Sequence, residues 1–335
     1  MISPQDITKA LKRFGHDEFR KGQEKAIQTL LERSDSNLLF VAPTGGGKSL
    51  IYQLTAYLLD GTSLVISPLI ALMEDQVKSL IEKEIPATFL ASTVEQDENS
   101  KRISDIRSGK YRIVYVAPER LAQAGLRKLF ETLKCPLVAV DEAHCISQWG
   151  HDFRPDYLNI KNFLVSLNKT RVIACTATAT PEVRDEIIQN LGLNDDTPQH
   201  VHGFARPNLS FIVENLNGSK QQSNVIDSSL KRNLRSTNQT GAAIIYSITK
   251  KEAETEYKRL QKKGWEVATY HAGMDPYPRK RVNEAFTKGK LEIVVATTAF
   301  GMGIDRSDVR TVIHMGLPDS VESYYQQAGR AGRDG

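Results

Sequence analysis

The sequence predicts an α/β protein, built as two tandem domains in which a mostly parallel sheet is flanked by helices. Three observations carry this reading. A glycine loop joins an apolar run to a helix-compatible run near the start. Short buried runs then alternate with helical stretches, the pattern of a parallel sheet. A second series of the same kind begins after residue 205, without a glycine loop of its own.

The glycine loop is Ala42-Pro-Thr-Gly-Gly-Gly-Lys-Ser49. Leu38-Leu-Phe-Val41 leads into it as a strand, and Leu50 to Leu59 leads out as a helix. Strand, glycine loop, Lys, Ser and helix together make a phosphate cradle, or P-loop. Backbone N–H groups of Thr44, Gly45, Gly46 and Gly47 can wrap phosphates, and the helix N-terminus adds partial positive charge. Lys48 is expected to reach the outer phosphates, and the Ser49 hydroxyl to hold Mg²⁺. The strict pattern begins with Gly, and this chain has Ala42 there.

Residues 5–32 read as helices, enclosing Phe14-Gly-His-Asp-Glu-Phe-Arg-Lys-Gly-Gln23. An amide at Gln23 can both donate to and accept from an adenine edge, although alone it would read as a surface glutamine. Beyond the loop, strands are predicted at Leu64–Ser67, Ala87–Leu90, Arg112–Val116, Leu137–Val140 and Arg171–Ala174. Helices are predicted at Ala71–Glu82, Glu95–Arg107 and Leu126–Leu133. Asp141-Glu-Ala-His144 directly follows an apolar strand, so it falls at a carboxyl end, where parallel sheets bind ligands. Asp141 would meet the Mg²⁺ held by Ser49, and Glu142 would orient or deprotonate the attacking water.

His144, Cys145 and His151 could suggest zinc, but three candidates lack a fourth, and no zinc is assigned. Trp149, Phe153 and Arg154 lie in an irregular loop, either a packed corner or a stacking platform for unpaired bases. The hydroxyls of Thr176-Ala-Thr-Ala-Thr180 either reach the acids or cap a helix beginning near Pro181.

Pro198, Gly203 and Pro207 punctuate a boundary, placing domains at residues 1–205 and 206–335. In the second half, strands are predicted at Leu209–Val213, Ala242–Tyr246, Glu266–Tyr270, Leu291–Ala296 and Thr311–His314. Helices are predicted at Ser219–Asn233, Lys250–Lys262 and Pro278–Phe286, with a polar loop at 235–240. The basic run Arg279-Lys-Arg281 reads as a solvated helix face. Arg330 and Arg333 are three apart, which puts them on one helix face. Their mechanistic use would be an arginine finger supplied to phosphates.

Forty per cent hydrophobic and 25% charged residues are ordinary globular values. A net charge of +4, from 44 basic and 40 acidic residues, permits nucleic acid as partner without arguing for it. Cys135, Cys145 and Cys175 show no pairing pattern, which argues for a reducing compartment. No apolar run approaches membrane-spanning length, and Met1-Ile-Ser-Pro does not open a signal peptide.

In this order, the motifs resemble superfamily-two helicases, and most closely the RecQ family of DNA helicases. The resemblance rests on Phe14-Gly, Phe19-Arg20 and Gln23; on Pro43-Thr-Gly-Gly-Gly-Lys-Ser-Leu50; and on Ser67-Pro-Leu-Ile-Ala-Leu-Met-Glu-Asp-Gln76. It continues through Tyr115-Val-Ala-Pro-Glu-Arg120, Thr176-Ala-Thr-Ala-Thr180, Arg206-Pro-Asn208, Ala299-Phe-Gly-Met-Gly-Ile-Asp305 and the terminal arginines. Its most specific piece is Asp141-Glu-Ala-His-Cys-Ile-Ser-Gln-Trp-Gly-His-Asp-Phe-Arg-Pro155. The DEAH box alone would also fit RNA helicases, and the aromatic loop attached to it is what favours RecQ.

The resemblance implies two RecA-like domains sharing ATP, and ATP- and Mg²⁺-dependent 3′ to 5′ movement on single-stranded DNA or a 3′-overhang duplex. It also implies work in DNA repair and recombination, inside the cell with the DNA of a nucleoid or nucleus, as a monomer. By family role Arg20 and Gln23 contact adenine, Lys48 and Ser49 serve phosphates and metal, and Asp141 and Glu142 serve metal and water. Arg330 and Arg333 sense the γ-phosphate, while Trp149, Phe153 and Arg154 couple DNA to hydrolysis. His16 stands where Tyr is common and Lys21 where Pro is usual, so phosphate binding is better founded than adenine preference. The sequence ends at Asp334-Gly335, before the four-cysteine zinc module and winged helix of many members, and reads as a trimmed or short member. The alternatives are an ATP-gated nucleic-acid clamp that does not separate strands, and an RNA-directed DEAH-box ATPase.

Overall fold

The computed structural model describes residues 2–133, 135–148, 152–167, 169–203, 205–235, 241–301 and 306–333. The chain divides into two compact units, Met1–Phe204 and Ala205–Gly335.

The first unit opens with α1 (Pro4–Arg13) and α2 (Gln23–Glu32). Ser3 starts α1 through a capping box with Asp6, and Pro4 occupies the first turn, where no N–H is missed. The helical reading of 5–32 is thus interrupted at residues 14–22. Then follow β1 (Asn37–Val41), α3 (Lys48–Leu58), β2 (Ser63–Ile66), α4 (Ile70–Glu82), β3 (Ala87–Leu90), α5 (Gln96–Arg107) and β4 (Ile113–Val116). The unit continues with α6 (Ala124–Leu133), β5 (Leu137–Val140), α7 (Asn159–Ser166), β6 (Arg171–Thr176), α8 (Pro181–Leu191) and β7 (Gln199–Val201). Thr180 caps α8 by accepting from the Val183 N–H. Neither α7 nor the short edge strand β7 is among the elements expected from the sequence.

All strand pairs of this sheet are parallel, in the order β3-β4-β2-β5-β6-β1-β7. Successive strand residues point to opposite faces. Leu38, Phe40, Val65 and Ile173 therefore pack under α1–α4, with Ile27, Leu30, Ile51 and Leu80. Leu39, Val41, Val138 and Val140 face α5–α8, with Ile106, Phe130, Phe163 and Ile187. Both faces are covered, which is why these strands read as continuous apolar runs rather than alternating ones.

The second unit contains α9 (Ser219–Leu234), β8 (Ala242–Tyr246), α10 (Lys250–Lys262), β9 (Val267–Tyr270), α11 (Pro276–Thr287), β10 (Ile293–Ala296), β11 (Val309–His314) and α12 (Val321–Ala328). Its strands run parallel in the order β11-β8-β10-β9. Ala243, Ile245 and Val295 pack against Leu230 and Leu260 on one face. Ile244, Val294 and Ala296 pack against Phe286 and Phe300 on the other.

Two expectations fail here. Leu209–Val213 is not a strand: it pairs with none among the described residues, and Phe211, Ile212 and Val213 are exposed. Its strand-forming residues have no sheet face to cover, so propensity alone does not set the structure. Arg330 and Arg333 do not share a helix face either. The helix α12 stops at Ala328, and Gly332 adopts φ +60°. The arginines sit in the irregular turn that Gly332 permits. Of the predicted polar loop at 235–240, residues 236–240 lie outside the described residues.

One β-α-β unit occurs in both halves with the same spacing. In the first, Ala87 pairs with Ile113; in the second, Val267 pairs with Ile293. Gly109 (φ +75°) and Gly289 (φ +72°) end the intervening helices at matching places. The outer edges differ. Arg102 donates to the Phe89 carbonyl at 2.8 Å and stacks on the Phe89 ring, whereas the matching residue of α11 is Val282.

Phe286 is fully buried, lies edge-on to Phe300 at 5.7 Å and carries the Arg306 guanidinium on its face. Phe286→Ala is expected to destabilise the second unit by about 3–5 kcal/mol. Denaturant unfolding should show this as a lowered midpoint, and a midpoint within error of the parent would refute it.

Candidate functional site

The strand order assembles the site in the first unit. The glycine loop follows β1, Thr176 ends β6 and Asp141 follows β5, and β6 lies between the other two. Neighbouring strands stand about 4.8 Å apart, so the loop and the acid face each other across two strand steps, roughly 10 Å. Pairing extends past the strand ends: the Ala42 N–H donates to the Thr176 carbonyl at 3.1 Å, and the Asp141 N–H to the Ile66 carbonyl at 2.9 Å.

The loop is tightly wound. Gly46 N–H donates to the Pro43 carbonyl at 2.8 Å, and a Cβ at Gly46 would lie 2.8 Å from that same oxygen. Gly45 and Gly47 have φ +78° and +72°. A Cβ at Gly47 would collide with the Gln23 amide. Lys48 and Ser49 open α3. The Lys48 ammonium donates to the carbonyls of Ala42 at 3.0 Å and Pro43 at 3.4 Å. Thr44 is half-buried within the loop.

Arg20 and Gln23 lie against this loop. Gln23 is buried; its amide donates to the Gly47 carbonyl at 3.0 Å, and its oxygen accepts from the Arg20 N–H at 2.8 Å. The Arg20 guanidinium donates to the Gly45 carbonyl. Both side chains therefore reach phosphate-loop carbonyls.

Asp141 is buried, and burial followed by the charge of Glu142 pushes its carboxyl up to about 7, against the pull of Lys48. It accepts from the Glu142 N–H at 3.0 Å, and Tyr52 points its hydroxyl at it from 3.4 Å. The Tyr157 hydroxyl donates to the Asp141 backbone carbonyl at 2.9 Å. Glu142 itself has φ +47°, an unfavourable conformation for a residue with a Cβ, costing on the order of 1 kcal/mol or more. Such strain at the end of a strand aims the side chain away from the sheet's own direction.

His144 Nδ1 is 2.9 Å from the Thr176 hydroxyl and 3.3 Å from the Glu142 carboxylate. Of the two readings of the threonine run, the capping one holds: Thr180 caps α8, whereas the Thr176 hydroxyl meets His144 rather than Asp141 or Glu142. The loop after the box is anchored to α8, where Glu186 accepts from the Ser147 hydroxyl at 2.6 Å and the Gln148 N–H at 3.1 Å. Arg154 clasps Asp152 through two nitrogens at 3.0 and 3.2 Å and donates to the Pro68 carbonyl at 3.0 Å. Phe153 beside it is half-buried. Trp149 and His151 lie outside the described residues.

In the second unit, Arg330 is buried and donates to the Gly301 carbonyl. Arg330 and Arg333 both act on the Tyr246 phenol, whose acidity burial otherwise suppresses. Arg206 clamps this turn by donating to the carbonyls of Gly329, Ala331 and Gly332, and Asn208 adds a bond to Gly332 at 2.8 Å. The sequence signals Arg206 and Asn208 only as part of a motif; their partners lie over a hundred residues away and leave no local trace. Tyr52 and Tyr157, which brace Asp141, are equally silent in sequence.

Gly47→Ala is expected to weaken nucleoside triphosphate binding by about tenfold or more, since it strains a positive φ and strikes Gln23. Titration with a fluorescent ATP analogue reads this, and unaltered affinity would remove the loop from the binding surface.

The sequence matches the DEAD/DEAH box helicase family over residues 20–187 and the helicase conserved C-terminal domain over residues 225–335. It is 43% identical to the ATP-dependent DNA helicase RecQ of Bacillus subtilis, over 96% of this chain and 53% of that protein. It is 40% identical to RecQ of Haemophilus influenzae, over 96% of this chain and 50% of that one. The chain thus spans about half the length of these relatives. The Mycobacterium smegmatis helicase Lhr bound to single-stranded DNA and AMP-PNP superposes with a TM-score of 0.75 at 21% identity, over 99% of this chain and 46% of that one, a likeness of fold. No helix among the described residues is long and apolar enough to cross a membrane. The chain belongs to the DEAD/DEAH box helicase family, and its sequence is consistent with a RecQ-family superfamily-two core with two RecA-like domains.

Proposed function

We propose that this chain is the motor core of an ATP-dependent DNA helicase that moves 3′ to 5′ on single-stranded DNA. The observation that carries this reading is the glycine loop facing buried Asp141 and half-buried Glu142 across the end of β6, within a chain 43% identical to a RecQ helicase. Lys48 and the loop N–H groups would hold the β- and γ-phosphates of ATP, with Arg20 and Gln23 near the adenine. The donor set of Ser49 and Asp141, a hydroxyl and a carboxylate, suits Mg²⁺, and a buried carboxyl held near neutrality is one that a cation would stabilise. Bound there, Mg²⁺ would neutralise charge on the phosphates.

Glu142 takes the proton of the attacking water as the new P–O bond forms and the bond to the ADP oxygen breaks. Arg330 and Arg333 are assigned to the γ-phosphate by their place in the family pattern. Trp149, Phe153 and Arg154 are assigned to coupling with DNA; Arg154 joins the loop behind the acid box to Pro68, which follows β2. The Lhr helicase, whose fold this chain shares, carries single-stranded DNA and AMP-PNP together, which supports the same ligand pair here.

Lys48→Ala is expected to lower ATP turnover by about a hundredfold or more, on the order seen when one preorganised donor to a developing oxyanion is removed. A rate near that of the parent would defeat the assignment. Trp149→Ala is expected to keep basal turnover but lose its stimulation by single-stranded DNA. Comparing stimulation by DNA and RNA tests the nucleic acid itself: RNA at least equal to DNA would favour an RNA-directed ATPase. Turnover without displacement of a strand from a 3′-overhang duplex would favour a clamp.

A further inference from the structure

Beside the acid box, His144, Cys145 and Asp152 each offer one ligand atom, and the three atoms lie within 4.8 Å of one another. His144 and Cys145 are buried and Asp152 is half-buried. Cys145 Sγ is 3.9 Å from His144 Nε2 and 3.7 Å from Asp152 Oδ2. Ligands around a tetrahedral Zn²⁺, at about 2.3 Å for sulfur and 2.0 Å for nitrogen, stand about 3.6 Å apart. The sulfur therefore needs to close on each partner by only a few tenths of an ångström, while His144 and Asp152, within 4.8 Å of each other, have further to close.

The tautomer of His144 also favours coordination. The Thr176 hydroxyl has one hydrogen, and it donates that to the Thr178 carbonyl at 3.0 Å. At its 2.9 Å contact with His144 Nδ1 the hydroxyl must then accept, so Nδ1 carries the proton. The Glu142 carboxylate lies 3.3 Å from the same nitrogen. A neutral ring protonated at Nδ1 turns the lone pair of Nε2 toward Cys145. A ring Nδ1–H fixed by a polar partner is the kind of outer contact that orients metal-binding histidines. Arg154 similarly fixes the carboxylate of Asp152.

We propose that His144, Cys145 and Asp152 form a binding site for a thiophilic divalent cation of the Zn²⁺ type, with water in the fourth position. On binding, the Cys145 S–H bond breaks, its proton passes to solvent and the sulfur lone pair forms the bond to the cation, with no change of oxidation state. The bond to the cation replaces the Cys145 S–H contact with Asp152. Sequence alone does not reveal the site, because its third ligand is Asp152 and not one of the histidines that draw attention to zinc.

The test is titration of the metal-free chain with Co²⁺, without nucleotide or nucleic acid, so its failure leaves the helicase reading untouched. One equivalent is expected to produce sulfur-to-cobalt absorption in the near ultraviolet and the visible bands of a tetrahedral site, both abolished by Zn²⁺. Cys145→Ala should remove the sulfur band, and Cys135→Ala should retain it. Asp152→Asn, with its fold checked by circular dichroism, should weaken cobalt binding by about tenfold or more. Absence of the sulfur band from the folded parent chain, its survival in Cys145→Ala, or unchanged affinity in folded Asp152→Asn would each overturn the proposal.

Discussion

A buried carboxylate and a lysine facing it across β6 are the constraint on which the first unit is built. Taking Asp141 out of water disfavours its charge, and adjacent Glu142 disfavours it further. Lys48 opposes both, but only because strand order sets the glycine loop and the acid box two steps apart. Tyr52, the Glu142 N–H and Tyr157 complete the support. Each comes from a different element, so the site requires the whole parallel sheet rather than any local segment.

The second unit holds its arginines by another device. The helix α12 stops at Ala328, Gly332 turns the chain at φ +60°, and the released turn has carbonyls that no helix satisfies. Arg206 and Asn208, from the opening residues of the unit, take up several of them. The beginning and end of the unit thus secure each other, and the guanidinium of Arg330 is held inside rather than left to swing.

How much of this is legible in the sequence depends on whether the signal is local. The strands of both sheets announce themselves because burial on two faces leaves unbroken apolar runs such as Leu137–Val140 and Ala242–Tyr246. The phosphate loop is legible because its glycines, lysine and serine are contiguous. Leu209–Val213 misleads for the same reason: strand propensity is local, whereas a pairing partner is not. Arg330 and Arg333 mislead because spacing of three suggests a helix while the glycines beside them end it. The short edge strand β7 leaves little pattern because its residues are partly exposed. The bracing tyrosines leave no trace and Arg206 shows only as part of a motif, because their partners lie elsewhere along the chain.

The β-α-β unit shared by the two halves differs at its outer rim. In the first half Arg102 reaches around to occupy an outward carbonyl of β3, blunting that edge. In the second, Val282 has no group that could do so, and among the described residues no side chain takes its place on β9. Edge carbonyls left without a local partner are templates for a foreign strand. Aggregation at high concentration would accordingly nucleate on β9 rather than β3, and grafting an arginine onto α11 is the natural route to a more soluble variant.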